Sequence, residues 1–326
     1  MIGLLFPGQG AQAVGMGKAL AESFPVARRT FEEADDALGR GLSQVCFFGP
    51  EERLTATDVC QPALVAVSVA AWRVAAEHGL AGDLVMGHSL GEYSALVAAG
   101  SLAFDEALRL VAERGAAMQA AAEARPGTML ALLGVSDGDA DALCAEAGDA
   151  WPANYNCPGQ VVASGTVEGI ERLRALAAGR EIKASALRVG GAFHSPLMQA
   201  AIPRFEPALA AWRPRAPAPV FLSTTTCALE PPERLQGVLL AQLTAPVRFG
   251  RAVEAALDRG IERFVELGPG RVLSGLVRRV RRGVPTAQVG EPADLASPAA
   301  ARWGPPPPEM LEGSRRSSVP RAPRGL

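Results

Sequence analysis

Apolar residues run along this chain in two textures. Short unbroken runs bounded by turn residues, the pattern of buried strands, alternate with long alanine- and leucine-rich stretches of helical length. IGLLF reads as a first buried strand ending at Pro7, and ALVAVSVAAWRVAAEHG as a helix stopped by Gly79. DLVM reads as a second strand that feeds directly into GHSLGE, and a helical stretch with one glycine break follows to about Ala124. Such alternation is the mark of an α/β protein.

The texture changes at RPGT. From Thr128 the chain reads strand MLALLGV, helix DADALCAEAG, strands WPANYN and QVVASG, helix VEGIERLRALAAG and strand IKASALRV. That βαββαβ order is a ferredoxin-like unit. The chain then returns through GGAFHSPLM to further helices and strands, closing with IERFVELGPG and a helix over VLSGLVRRVRR. The expected fold is α/β, with an α/β-hydrolase-like large domain from residues 1–125 and 192–290. The ferredoxin-like small subdomain is inserted at residues 126–191. Residues 291–326 are rich in proline and arginine with little to bury, and are expected to be a disordered tail.

Composition narrows the class. Of 326 residues, 48% are hydrophobic and 20% charged, which supplies ample core. A net charge of −2 gives no overall basic field to recruit nucleic acid. Five cysteines, odd in number and never in a C-x-x-C pair, argue against a disulfide framework or zinc site and fit a reducing cytosol. The N-terminus lacks the basic segment and apolar run of a signal peptide, and no uninterrupted apolar stretch approaches the ~20 residues a bilayer requires. A soluble, cytoplasmic, monomeric protein without metal, membrane or nucleic-acid partner is expected.

The candidate chemistry starts at GHSLGE. G-x-S-x-G between a strand and a helix is the nucleophile-elbow pattern, in which a sharp turn holds a serine at the strand tip over a helix N-terminus. Ser89 is therefore the candidate nucleophile, and it needs a base. Of three histidines, His78 sits at a helix end before Gly79, and His88 adjoins the nucleophile with its side chain expected to point away. His194, in GAFHSPLM, remains as the base. No aspartate stands out as a third member, since Asp137, Asp139 and Asp141 look like helix-start residues, which leaves a main-chain carbonyl to orient the imidazole.

Five segments in order, FPGQGAQ, GHSLGEYSAL, NYNCPGQVVASG, GAFHSPLM and ELGPGRVLSGL, resemble the malonyl-CoA:acyl carrier protein transacylases, a family that includes the acyltransferase domains of polyketide synthases. The resemblance covers roughly residues 1–285. It implies transfer of a malonyl group from malonyl-CoA to an acyl carrier protein through an ester on Ser89, with no cofactor beyond the thioester substrates. It further implies an oxyanion hole from the backbone N–H groups of Gln9 and Leu90, and Arg114 as the clamp for the malonyl carboxylate. Arg248, in LTAPVRF, stands at the position whose main-chain carbonyl orients the histidine in other members. Phe193 resembles the malonyl-selecting version, its ring filling the space of an α-methyl group. FLSTTT differs from the family's usual string, with no consequence assigned, and RRVRR is a candidate carrier-docking surface. A serine esterase with the same Ser–His pair, or an inactive carrier-docking module, are the alternatives.

Overall fold

The structure is a computed structural model that describes residues 1–297 and Trp303. The strands are β1 (Ile2–Phe6), β2 (Leu84–Gly87), β3 (Gly127–Leu133), β4 (Ala150–Cys157), β5 (Gln160–Thr166), β6 (Lys183–Ala186), β7 (Val220–Phe221), β8 (Arg263–Leu267) and β9 (Thr286–Val289). They form two sheets. The larger has the order β7-β2-β1-β8-β9 and every pairing in it is parallel. Its inner strands are covered on both faces, which is why they read as continuous apolar runs.

The smaller sheet has the order β4-β5-β3-β6 and is antiparallel throughout, with the helices Asp137–Ala147 and Val167–Gly179 between its strands in sequence. This is the ferredoxin-like topology that the βαββαβ order predicts. Side chains alternate across a strand. Leu130 and Leu132 of β3 accordingly join the core made with these two helices, while Met129 and Ala131 face the core of the larger sheet. The two bodies are also joined through the backbone, by hydrogen bonds of 2.8 Å from Tyr155 N–H to Val247 O and from Val247 N–H to Ala153 O.

The helix Thr57–Glu77 is 21 residues long, and by length and composition alone it could cross a membrane, although polar residues interrupt its apolar run. Most of it is buried inside the protein, where it forms the central core helix of the large domain. Two further readings need correction. The strand β9 was not expected, because Thr286 and Gln288 give its edge position no apolar run. Order also continues past residue 290: Pro292–Ala296 forms a 3₁₀ turn whose Asp294 carboxylate accepts from the N–H groups of Gly290 and Glu291. Trp303 is buried against the main core. The rest of the expected tail lies outside the described residues.

Candidate active site

β2 ends at Gly87 and the helix Gly91–Ala98 begins four residues later. A Cβ on Gly87 would lie 2.0 Å from the backbone carbon of Gly91, and one on Gly91 would lie 2.0 Å from the carbonyl oxygen of Phe6. Both glycines are thus steric requirements of the turn. Between them Ser89 is held at φ +50°, a left-handed conformation that non-glycine residues rarely adopt and that packing must enforce. His194 is held the same way at φ +59°.

These two strained residues meet, with Ser89 Oγ 2.7 Å from His194 Nε2. The other ring nitrogen, Nδ1, lies 2.8 Å from Gln242 O and 3.2 Å from Ala245 O. Carbonyls only accept, so Nδ1 carries the proton and Nε2 presents its lone pair to the serine O–H. Burial first, and the positive charge of Arg114 second, press the imidazole down to about 3. It is therefore a neutral proton acceptor at physiological pH.

The carbonyls that orient His194 are those of Gln242 and Ala245, not that of Arg248. The Arg248 carbonyl accepts from Ala252 N–H and from Cys227 Sγ, and its guanidinium stacks over Tyr155 at 5.3 Å. Arg248 caps the helix Phe249–Asp258 and so faces a different task. The turn that begins at Gln242 brings earlier carbonyls of the same segment to the imidazole instead.

Arg114 lies on the helix Phe104–Ala124 and is 1% exposed. Its Nη2 donates to Ser89 Oγ at 3.2 Å and to Gln242 Oε1 at 2.9 Å, while Nη1 donates to Gln61 Oε1 at 2.9 Å. All these acceptors are neutral, so the guanidinium's charge is left available at the nucleophile.

Gln9 and Leu90 both line the cavity around Ser89. The turn carrying Gln9 presses on the elbow: a Cβ on Gly8 would come within 2.3 Å of His88 O. Leu90 sits at the N-terminus of the Gly91–Ala98 helix, where N–H groups point toward developing negative charge. Among the described residues neither the Gln9 nor the Leu90 N–H has a protein acceptor. Phe193, Met118 and Met129 supply apolar wall. The cavity holds ≈ 70 Å³, room for a small acyl unit and not for a long chain. A larger open groove of ≈ 680 Å³, lined by Tyr155, Cys157 and Arg251, contains none of these groups.

Neither remaining histidine bonds to Ser89 Oγ, although His88 borders the cavity. His78 Nδ1 bonds to Val74 O at its helix end, and His88 Nε2 bonds to Asn156 Oδ1 at 2.9 Å, turned away from the nucleophile.

Sequence reasoning passed over a buried polar group beside the site. Glu92 is fully buried and accepts from Thr224 N–H, from Thr224 Oγ1 at 2.8 Å, from Ser223 Oγ at 3.1 Å and from Gln242 Nε2 at 2.7 Å. The segment FLSTTT, which carried no consequence as a sequence, is the cradle of this carboxylate. Burial pushes Glu92 up to about 7, against the pull of those donors and of Arg114. The available signal was a glutamate inside the otherwise apolar stretch EYSALVAA.

Comparison with known proteins follows the same lines. The acyl transferase domain family matches residues 4–297. A malonyl CoA-acyl carrier protein transacylase of Bacillus subtilis is 42% identical over 301 residues, spanning 90% of this chain and 95% of that protein. The enzyme of the same name from Escherichia coli K12 is 39% identical, over 90% and 97%. An acyl-carrier-protein S-malonyltransferase of Bartonella henselae superposes with a TM-score of 0.88 at 39% identity, covering 92% of this chain and 98% of that one. A malonyl-transacylase solved with the holo acyl-carrier protein of a type II polyketide synthase gives 0.87 at 39%, covering 90% and 97%. With its nucleophile elbow, its two sheets and nearly all of its described length matched, this chain belongs to the acyl transferase domain family.

Proposed function

We propose that this protein is a malonyl-CoA:acyl carrier protein transacylase, with Ser89 as nucleophile and His194 as general base and acid. The observation that carries the reading is that one oxygen, Ser89 Oγ, lies within hydrogen-bond distance of both a neutral imidazole and a buried guanidinium. Ser89 Oγ attacks the thioester carbonyl as its proton passes to His194 Nε2. The carbonyl oxygen, now an oxyanion, is received by the N–H groups of Gln9 and Leu90, each such donor being worth ~10²–10³ in rate. Collapse breaks the C–S bond, and the imidazolium proton goes to the departing CoA thiolate. The phosphopantetheine thiol of the carrier then attacks the seryl ester by the reverse route, giving ping-pong kinetics.

Arg114 receives the free malonyl carboxylate. An arginine suits this because its planar fork binds a carboxylate through parallel charge-assisted bonds. A simple esterase has no use for such a group at its nucleophile, and that favours the transferase over the hydrolase. Phe193, on the cavity wall, narrows the space beside the α-carbon and favours malonyl over α-methylated units. Every charge in the cycle is carried by these side chains and backbone groups, so the reading invokes no metal or cofactor. Five free thiols fit a reducing cytoplasm.

The test is intact-mass measurement after incubation with malonyl-CoA, followed by addition of holo carrier protein. The expected result is a malonyl adduct on the wild type, none on Ser89→Ala, and its transfer to the carrier. Release of mostly free malonate in the presence of carrier would overturn the reading in favour of a hydrolase.

A further inference from the structure

Arg114 and the Glu92 carboxyl are both buried and both bond to Gln242, yet they form no direct ion pair. The side chain of Gln242 stands between them. Its Oε1 accepts from Arg114 Nη2 at 2.9 Å, and its Nε2 donates to Glu92 Oε2 at 2.7 Å and to Ser89 O at 3.2 Å. The amide cannot be reversed, because arginine only donates and a carboxylate ringed by donors only accepts. Through its backbone, the same residue also accepts from His194 Nδ1 at 2.8 Å.

We infer that Gln242 is a positioning residue that keeps Glu92 from capturing Arg114, leaving the guanidinium un-neutralised beside Ser89 Oγ for the acyl carboxylate. A direct Glu–Arg contact would tie up the fork and neutralise it. With no carboxylate nearby, a guanidinium at 1% exposure would lack compensation for its lost hydration. The interposed amide meets both needs: Glu92 stays close enough to act through a polarised hydrogen-bond chain, and the guanidinium bonds only neutral acceptors. Arg114 Nε, buried and without a hydrogen-bond partner, is further donor capacity the protein leaves unused.

The inference rests on the malonyl-transfer reading, and its test separates the two. Gln242→Glu places a carboxylate directly on Arg114, and Gln242→Asn keeps the amide but is one methylene too short to reach both partners. Both retain the backbone carbonyl that orients His194. The rate of acyl-enzyme formation is measured by rapid quench with malonyl-CoA and with acetyl-CoA, which has no carboxylate. In Gln242→Glu, KM for malonyl-CoA should rise about tenfold or more, the size of one charge-assisted hydrogen bond, with kcat within about threefold. Slow acylation by acetyl-CoA, which has no carboxylate to place on Arg114, should fall by a clearly smaller factor than acylation by malonyl-CoA. Gln242→Asn, the milder change should the first variant fail to fold, should show the same split to a smaller degree. Equal losses with the two thioesters, or an unchanged KM for malonyl-CoA, would overturn the inference. Absence of any malonyl adduct on the wild type would instead overturn the function it rests on.

Discussion

At the scale of single residues, His194, the proposed base, has an unusual environment and its pH behaviour should reveal it. An ordinary histidine titrates near 6.5, but His194 is held at about 3 by burial and by the charge of Arg114. In the free enzyme the imidazole therefore stays a base well below pH 6, and kcat/KM for malonyl-CoA in Glu92→Gln, which removes the other group at the site that titrates near 7, should be flat from pH 8 to about 5. A bound carboxylate cancels part of the Arg114 charge and raises the imidazole's pKa, so the acid limb of kcat should lie at higher pH than that of kcat/KM. Both limbs falling together near 6.5 would contradict the geometry. The same shift bears on stability. The unfolded chain takes up the proton first, so this contribution is complete above about 6.5 and is lost as pH falls toward 3. The pairing of Ser89 with His194 was legible in the sequence because an elbow demands glycines and only three histidines compete. Arg114 was legible only through family likeness, since a buried arginine and a solvated one look alike on a helix. Gln242 left no readable trace because it acts partly through its backbone, and Glu92 left only an acidic residue beside an apolar stretch, its partners lying more than a hundred positions away.

At the scale of elements, the turn after β2 sets the tolerance of the site. Gly91→Ala would drive a Cβ into the Phe6 and Pro7 carbonyls, both backbone atoms of the adjacent strand end, and neither can retreat without moving the central sheet. We expect a loss of ~3 kcal/mol or more in urea unfolding, with acylation abolished. Gly100 is the control. It has φ +67° and nothing within 4 Å of an added Cβ, so Gly100→Ala should cost only ~1–2 kcal/mol from the left-handed backbone. If the two variants unfold alike, crowding is not what the elbow glycines relieve. The strands and helices that carry these turns were readable because apolar runs and helical stretches differ in length. β9 and the turn at Pro292–Ala296 were not, because edge elements are half exposed and need no apolar signature.

At the scale of the whole molecule, the chain beyond residue 290 contributes to the fold. Trp303 is 9% exposed and packs on the main core, so Trp303→Ala should lower stability by about 3 kcal/mol in chemical denaturation while leaving acyl-enzyme formation intact. An unchanged midpoint would show that this residue merely rests on the surface. The insertion of one α/β unit into another was legible from the change of texture at RPGT, whereas the way the two are fastened was not. Val247 exchanges two backbone hydrogen bonds with β4 of the small sheet, and two residues before it stands Ala245, whose carbonyl helps to hold the His194 ring. An outward swing of the small sheet would break those bonds or drag that carbonyl away, leaving the imidazole with one of its two orienting carbonyls. The fastening of the two sheets and the aim of the His194 ring thus share one short segment, so loosening that seam should slow the acylation of Ser89 that we propose.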